Sequence, residues 1–458
     1  KAREGFVEMT RELPLVDLLR AAPRMPARQD AARACKARLF DGSGDETQTR
    51  IAALFEKQPL ARDLVGAVLS HSPFLAGLIR RRPQWLLESL SEPPAVLFAR
   101  IIAEAADAAL EDQEADVMRR LREARGRSAL LIALADLGGV WSVDDVMSAL
   151  TRFADASLEA SIGWLLEQAR LNERLLARDR SDLIAASGLI VLALGKHGAG
   201  ELNYSSDIDL TLFFDPDLIP VPPGGEARRA ALRIVPPFVR MMEEITEDGY
   251  VFRTDLRLRP DPASTQVAVT VQAAEAYYQS VGQNWERAAL IKARPIAGDI
   301  GAGEDFLQSI APFIWRRHLD YAAIADIHSI KRQIVAVHKG GDLDEIAPDV
   351  KVGRGGIRDI ELFAQTQQLI LGGRDRDLRV KTTLGALDAL EKVKIIDAAT
   401  RDDLKRAYEF HRAVEHRIQM LEDEQRHRAP SQPEERARLA ALCGFATPEE
   451  FDAALRAH

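Results

Sequence analysis

The sequence predicts an α+β protein that is predominantly helical, with a small mixed β-sheet in the middle of the chain. Outside that middle part, apolar residues recur at helical spacing in stretches rich in alanine, leucine, arginine and glutamate. Between residues 188 and 300, β-branched and aromatic runs alternate with helical patterns. A chain of 458 residues is expected to form two to four domains. We predict a helical region over 1–187, a mixed domain over 188–300 and a helical bundle over 301–458.

The N-terminal region is predicted to be nearly all helix. Ser72 is a suitable N-cap because a proline follows it at the first helical position, and this helix should end near Pro83. The pair Gly138-Gly139 breaks a later apolar helix, and Ser142 restarts the helical pattern as a cap ahead of two aspartates. Three tryptophans are expected to fill the helical core: Trp85, Trp141 and Trp164.

The middle domain is predicted to begin with an apolar strand, a glycine-rich turn and a second strand that opens with Asp207 and Asp209. A helix should follow over 226–248. A strand is then predicted over 250–260, where apolar and charged residues alternate strictly and the final proline ends the strand. After that strand the pattern predicts one helix and a short segment that ends at Pro295.

From residue 301 the pattern returns to long helices, of which IRDIELFAQTQQLIL is the clearest. The chain starts at Lys1 without a methionine and stops at His458 within a helical pattern. We therefore expect it to be a piece of a longer protein.

Composition excludes several classes of protein. The net charge of −9 argues against broad attraction to nucleic acid. No apolar run approaches the roughly 20 residues of a membrane-spanning helix, so we expect a soluble cytoplasmic protein with no membrane partner. Cys35 and Cys443 lie far apart and show no metal-binding or redox spacing.

The Asp-x-Asp pair is the strongest chemical signal. Side chains alternate along a strand, so Asp207 and Asp209 should lie on one face. Paired carboxylates repel unless a cation lies between them, and Mg²⁺ prefers oxygen ligands. Asp255 on a later strand can supply the third carboxylate that a two-metal phosphoryl-transfer site requires. Taken alone, an Asp-x-Asp pair is more often a solvated turn.

The glycine-rich turn is the candidate phosphate-binding element. Its glycines, beginning at Gly195, allow backbone amides to approach phosphate oxygens, and Ser205 and Ser206 can donate hydrogen bonds. His197 in this turn is expected to be a surface loop histidine.

Basic residues surround the predicted third carboxylate. Arg253, Arg257 and Arg259 should share the strand face of Asp255, and one arginine would suffice to neutralise that aspartate. We therefore predict that at least one of them binds phosphate. Lys292 and Arg294 follow the next helix at alternating positions, which fits either an ordinary charged helix face or a short strand that reaches the phosphates.

A second glycine-rich segment, KVGRGGIRDIELFAQ, leads into a helix. Arg354, Arg358 and Glu361 fall on one face of that helix together with Gln365. Such a turn can bind an anion through free amides. The residues themselves favour a tight interdomain turn in which Arg358 pairs with Glu361.

Four motifs together resemble the glutamine synthetase adenylyltransferase family: LALGKHGAGELNYSSDIDLTLFFD, VFRTDLRLRP, WERAALIKARP and KVGRGGIRDIELFAQ. The resemblance implies a DNA polymerase β-like nucleotidyltransferase domain and a bifunctional protein with two related catalytic halves. It places the metal-binding and catalytic carboxylates on Asp207, Asp209 and Asp255. It places the nucleotide-cradling turn on Gly195 to Ser206, where Lys196 replaces the glycine or serine of many relatives.

The resemblance implies a substrate and partners as well. SPFLAGLIRRRP, GGIRDIE and QLILGGRDRDLR are typical of the N-terminal half, which removes AMP from a tyrosine of glutamine synthetase by phosphorolysis and releases ADP. The expected cofactor is Mg²⁺, as two ions, and the expected regulator is the PII signalling protein in its uridylylated form. Arg257 and Arg259 would orient the incoming phosphate.

Three alternatives remain. A protein with the same fold could instead catalyse the adenylyltransferase reaction, which attaches AMP from ATP to glutamine synthetase. A non-catalytic module that binds nucleotide or a signalling partner is a second alternative, although intact Asp207, Asp209 and Asp255 argue against it. A nucleic-acid polymerase is disfavoured by the net charge and the lack of a basic, aromatic stripe.

Overall fold

The computed structural model describes residues 12–25, 33–35, 39, 45–177, 179–317 and 348–458. Within them the chain is mostly helical with a small mixed sheet, which confirms the predicted fold class. Residues 318–347, in the region predicted to consist of long helices, lie outside the described residues. None of the described helices has the length and hydrophobicity that crossing a bilayer requires.

The N-terminal region is helical, as predicted. Its helices are α1 Leu15–Leu18, α2 Glu46–Lys57, α3 Pro59–His71, α4 Pro73–Arg81, α5 Pro83–Ser91, α6 Pro94–Asp107, α7 Glu114–Leu137, α8 Val143–Leu171 and α9 Arg180–Ala185. The Oγ of Ser72 accepts a hydrogen bond from the N–H of Leu75, which confirms the cap of α4. Ser142 and Asp145 form a capping box at the start of α8. Trp85, Trp141 and Trp164 all pack against the main hydrophobic core.

Five strands form the sheet: β1 Leu189–Ala193, β2 Ile208–Phe214, β3 Thr254–Asp255, β4 Ala268–Thr270 and β5 Arg294–Gly298. Strand β1 lies between β2 and β5 and is antiparallel to both. The other edge of β2 pairs in parallel with β3 near its start and with β4 near its end. The sheet is therefore mixed, and β2 brings its first residues next to β3.

The described helices after β1 are α10 Gly195–Ala199, α11 Ala227–Glu243, α12 Val271–Ser280, α13 Asn284–Ile291, α14 Ile300–Ser309, α15 Ala311–Ile314, α16 Ile357–Leu371, α17 Thr383–Lys392, α18 Ala398–Glu422, α19 Pro433–Leu442 and α20 Pro448–Ala457. Helix α16 covers the residues that the sequence pattern predicted. One hydrophobic cluster runs from the N-terminal helices across one face of the sheet to Met420 and Leu421 of α18. The apolar core is thus continuous across residue 187, and the domain boundaries stay predictions.

Several predicted elements of the middle domain differ in the structure. The strand over 250–260 is reduced to Thr254–Asp255. The reason is that the backbone N–H of Arg257 donates to Oδ1 of Asp255 at 2.9 Å, so it is not available to a strand ladder. Leu256 and Leu258 then pack against different hydrophobic clusters, and the predicted alternation is lost.

The helices of this domain are shorter than predicted. Helix α11 ends at Glu243 because the N–H groups of Val251 and Phe252 both donate to the carbonyl of Met242, which reverses the chain. The single helix predicted after the strand is two helices, α12 and α13, separated at Gly282, which packs against the ring of Phe313. The following segment does not end at Pro295, because β5 continues to Gly298 along the edge of β1.

Candidate active site

The glycine-rich turn connects β1 to β2 through the short helix α10. Gly195 has a φ of +53°, and a Cβ added there would overlap Oδ2 of Asp209. A Cβ at Gly198 would overlap the backbone carbonyl of Lys292. Both positions need glycine because the turn packs directly against a carboxylate and against the backbone before β5.

The three predicted carboxylates come together in one cavity of about 540 Å³. Asp207 directly precedes β2, and Asp209 is the second residue of that strand. Asp255 of β3 lies opposite Asp209 in the parallel register. The sheet topology thus places a pair from one strand beside a single carboxylate from its neighbour. Other side chains of this cavity are Lys196, Arg257, Lys292, Lys351, Arg358 and Glu361.

Asp209 is the carboxylate with the most unfavourable surroundings. Burial raises the pKa of its carboxyl to about 6, and the negative charge of Asp255 contributes to the increase. Among the described residues, no hydrogen bond or ion pair reaches this side chain. A cation would relieve both the burial and the repulsion.

The other two carboxylates are held by arginines. The Nε of Arg253 donates to Oδ1 of Asp207 at 2.7 Å. Arg257 contacts Asp255 through Nη2 at 2.5 Å, and this hydrogen bond lowers the pKa of Asp255. The Arg257 side chain is 84% exposed, so its pairing with Asp255 is weak and easily exchanged for another cation.

The donor set of the cavity suits a hard divalent cation. Three carboxylates from adjacent strands supply oxygen ligands, which Mg²⁺ prefers over nitrogen or sulfur. In the described part of the chain, no group of three His, Cys, Asp or Glu side chains is already arranged to hold a metal ion. The arginine contacts of Asp207 and Asp255 account for this, because both carboxylates are turned toward guanidinium groups.

The half-buried Lys196 and the buried Lys292 join the turn and the sheet to the C-terminal helices. The Nζ of Lys196 lies 3.0 Å from Oε1 of Glu415 in α18. Burial lowers the pKa of Lys196 to about 7, against the opposing attraction of Glu415. Lys292 lies 3.1 Å from Glu201 and 2.9 Å from Glu361. Burial lowers the pKa of Lys292, but these two carboxylates outweigh burial and raise it.

The predicted pairing of Arg358 with Glu361 is wrong. Glu361 binds Lys292 instead, because α16 packs its buried face against the segment that follows α13. Arg358 therefore faces the cavity together with Gln365. Arg354 is exposed and is not among the residues that form the cavity wall.

Three of the predicted phosphate ligands do not line the cavity in this structure: Ser205, Arg259 and Arg294. Arg259 donates to the backbone carbonyls of Leu256 and Pro262 and closes the loop after β3. Arg294 forms an ion pair with Asp155 of α8, with Nη1 at 2.8 Å from Oδ2. The two serines lie in the turn as predicted, but they bind other protein groups. The carbonyl and Oγ of Ser205 accept from Arg253, and Oγ of Ser206 accepts from the N–H of Asn203.

The expectation that His197 is a surface residue is wrong. Its side chain is fully buried, and Nε2 lies 2.8 Å from Oδ1 of Asp155. Burial lowers the pKa of the imidazole, although the Asp155 carboxylate opposes that effect. His197 and Arg294 both contact Asp155, and these contacts attach the glycine turn to α8.

Sequence reasoning missed several cavity residues: Asn203, Lys351, Glu415, Gln419 and His427. Most belong to segments more than 100 residues from the carboxylates, and no local pattern connects them. Asn203 lies within the turn itself. Its carboxamide is buried and has no hydrogen-bond partner among the described residues, which only the folded structure reveals.

A glycine turn, one carboxylate just before the next strand, a second within that strand and a third on its parallel neighbour, on a mixed sheet among helices, define a nucleotidyltransferase-like protein. The family model described as glutamate-ammonia ligase adenylyltransferase matches residues 63–309. A second model, GlnD PII-uridylyltransferase, matches residues 329–458. The chain therefore belongs to the glutamate-ammonia ligase adenylyltransferase family, whose members are nucleotidyltransferases.

Curated relatives agree with this membership. A bifunctional glutamine synthetase adenylyltransferase/adenylyl-removing enzyme of Bradyrhizobium diazoefficiens is 50% identical over 86% of this chain and 40% of its own length. The enzyme of the same name from Rhizobium meliloti is 47% identical over 94% of this chain and 44% of its own length. The enzyme of the same name from Caulobacter vibrioides is 50% identical over 85% of this chain and 39% of its own length. The chain thus spans about 40% of the length of these relatives.

Proposed function

We propose that this chain removes AMP from an adenylylated tyrosine of glutamine synthetase by phosphorolysis. The observation that carries the proposal is a single cavity with three carboxylates on the sheet side and cationic side chains on the helical side. Such a cavity can hold a phosphodiester through metal ions and an inorganic anion through basic groups. The N-terminal motifs SPFLAGLIRRRP, GGIRDIE and QLILGGRDRDLR support the removing direction.

The proposed reaction is an in-line displacement at the adenylyl phosphorus. An oxygen of orthophosphate forms a bond to that phosphorus, and the bond from phosphorus to the tyrosine oxygen breaks. The tyrosine oxygen leaves with the bonding electrons and is protonated, so the products are ADP and unmodified glutamine synthetase. Orthophosphate is already an anion near neutral pH and needs little activation, so we assign Asp255 to metal binding rather than to proton transfer.

We assign Asp207, Asp209 and Asp255 as the ligands of Mg²⁺, in two ions. When bound, the metal supplies positive charge that neutralises the phosphoryl oxygens and the leaving oxygen. Asp209 contributes the carboxylate that lacks a partner among the described residues, while Asp207 and Asp255 must exchange an arginine contact for the metal. Exchange at Asp255 would also free the Arg257 guanidinium to contact the phosphate of the adenylyl group.

The partners follow from the proposed reaction. Glutamine synthetase in its adenylylated form is the protein substrate, and orthophosphate and ADP are the small-molecule substrate and product. The match of residues 329–458 to a PII-uridylyltransferase model supports a link to PII signalling. We therefore propose PII, in its uridylylated form, as the regulator.

The proposal is tested by incubating the chain with adenylylated glutamine synthetase, Mg²⁺ and ³³P-labelled phosphate. Labelled ADP should appear while the glutamine synthetase subunit loses the mass of one adenylyl group. Asp207→Asn should abolish ADP formation and retain the folded circular-dichroism spectrum. Asp217→Asn, in the exposed loop after β2, is the matched control and should retain activity.

Two results would contradict the proposal. The first is ATP-dependent attachment of AMP to unmodified glutamine synthetase without ADP production, which would show the forward adenylyltransferase reaction. The second is the absence of either reaction in a chain that still binds nucleotide, which would indicate a non-catalytic module.

A further inference from the structure

The cations that line the cavity are not equivalent. Lys196 and Lys292 are each held by buried glutamates, and Arg257 is held by Asp255. Lys351 and Arg358 also face the cavity, but among the described residues neither side chain has a hydrogen bond or ion pair. Two cations in one cavity that no carboxylate contacts directly are available to bind an anionic ligand.

Their position is set by the segment that leads into α16. The N–H of Arg358 donates to the carbonyl of Lys351 at 2.9 Å, so the two residues are bound across the tight glycine turn. Gly353 and Gly356 allow this turn, because a Cβ at either position would overlap backbone carbonyl oxygens. Both side chains are partly buried, which holds them in the cavity wall rather than in bulk solvent.

Lys351 and Arg358 line the same cavity as the three carboxylates. The positive charge of Lys351 also opposes the increase in the pKa of Asp209. An anion bound by the two cations would therefore share the cavity with the carboxylates that would hold the metal ions.

We propose that Lys351 and Arg358 bind the attacking orthophosphate. This inference rests on the proposed phosphorolysis and names the group that holds its second substrate. Arg358 supplies a planar guanidinium that can contact two phosphate oxygens, and Lys351 supplies a point charge on the side facing Asp209. The assignment moves orthophosphate from the predicted ligands Arg257 and Arg259 to the wall formed by the C-terminal helices.

Kinetic measurements with the chain, Mg²⁺ and adenylylated glutamine synthetase test this inference. Lys351→Met and Arg358→Met should each raise the KM for phosphate by about 10–100-fold, because each removes a charged contact to that substrate. The KM for adenylylated glutamine synthetase should change less than about threefold. Arg406→Met removes a positive charge from the exposed face of α18 and should leave both values unchanged.

A binding measurement separates this inference from the proposed function. Sulfate is an unreactive analogue of orthophosphate, and it should raise the Tm of the wild-type chain and of Arg406→Met but not of either cavity variant. If sulfate stabilises the wild type in this way and no ADP is ever formed, the anion site stands and the proposed function fails.

Other outcomes overturn the inference itself. ADP formation with an unchanged KM for phosphate in both variants would show that orthophosphate binds elsewhere. An increase confined to the KM for adenylylated glutamine synthetase would assign the two cations to the AMP phosphate. Arg358→Lys distinguishes charge from geometry, because it should recover only part of the phosphate affinity that Arg358→Met loses.

Discussion

At the scale of single residues, the site is defined by charges that the protein leaves uncompensated. Asp209 lacks a partner among the described residues on the sheet side, and Lys351 and Arg358 lack partners there on the helical side. Most other charged groups of the cavity are paired, including Glu415 with Lys196 and Asp255 with Arg257. The unpaired groups are those that we expect a metal ion and an anion to satisfy.

This imbalance predicts a trade-off between stability and activity at Asp209. Its pKa is raised from 3.8 to about 6 in the folded protein. Between these pH values the folded state binds more protons than the unfolded state, so stability falls as the pH rises through this window. At pH 7.5 and without metal, Asp209→Asn should increase the free energy of unfolding by about 1–3 kcal/mol and abolish Mg²⁺-dependent activity.

The measurement is urea unfolding at pH 7.5 and at pH 3.5, with Asp217→Asn as the exposed control. At the lower pH the Asp209 carboxyl is protonated, and the variant should be no more stable than the wild type. If Asp209→Asn is less stable than the wild type at pH 7.5, burial of this carboxylate is not the dominant effect.

At the scale of elements, the turn around α10 brings the backbone into contact with the Asp209 carboxylate. Gly195 and Gly200 both have positive φ, at +53° and +78°, so both favour glycine. They differ in the space that a side chain would meet. A Cβ at Gly195 would overlap Asp209, whereas nothing lies within 4 Å of a Cβ at Gly200.

Gly195→Ala and Gly200→Ala therefore form a matched pair. Each should cost about 1–2 kcal/mol of stability from the left-handed backbone, measured by denaturant unfolding. Only Gly195→Ala should also displace Asp209 and reduce the proposed phosphorolysis by about 100-fold or more, since misplacement of a catalytic group by about 1 Å costs a factor of this size. Equal activities in the two variants would rule out close packing of the turn as a requirement.

The elements also show what sequence patterns can predict. Local signals sufficed for the Ser72 cap, for α16 and for the succession of a strand, a glycine turn and a second strand, because neighbouring residues determine those features. The second strand begins one residue later than predicted, so that Asp207 precedes it. The prediction of a strand over 250–260 was wrong because the backbone N–H of Arg257 donates a hydrogen bond to the Asp255 carboxylate. Lys351 and Glu415 could not be predicted, since long-range packing alone brings them to the turn.

At the scale of the whole molecule, the cavity exists only because the C-terminal helices close over the sheet. Lys292, at the end of α13, lies between Glu201 of the turn and Glu361 of α16. Thr383 of α17 joins the same network through its N–H and hydroxyl, both of which donate to Glu201. Glu201 of the turn is thus linked to α16 through Lys292 and to α17 through Thr383, in addition to the contact between Lys196 and Glu415 of α18.

The network makes Lys292 a test of how firmly the bundle is attached. Removing one partner of a buried ion pair leaves the other charge uncompensated, so Lys292→Met should lower the free energy of unfolding by about 3–5 kcal/mol. Hydrogen–deuterium exchange should rise first in α16 and α17, because they lose their polar contact with the sheet domain.

Two variants separate this effect from a general loss of charge. Lys392→Met removes an exposed lysine that pairs with Asp377, and it should change stability by no more than about 0.5 kcal/mol. Glu361→Gln should cost less than Lys292→Met, because Lys292 keeps its contact with Glu201 while the amide still accepts a hydrogen bond. Unfolding of Lys292→Met at the same urea concentration as Lys392→Met would mean that this four-residue network does not stabilise the packing of the C-terminal helices, and that it contributes only to the shape of the cavity.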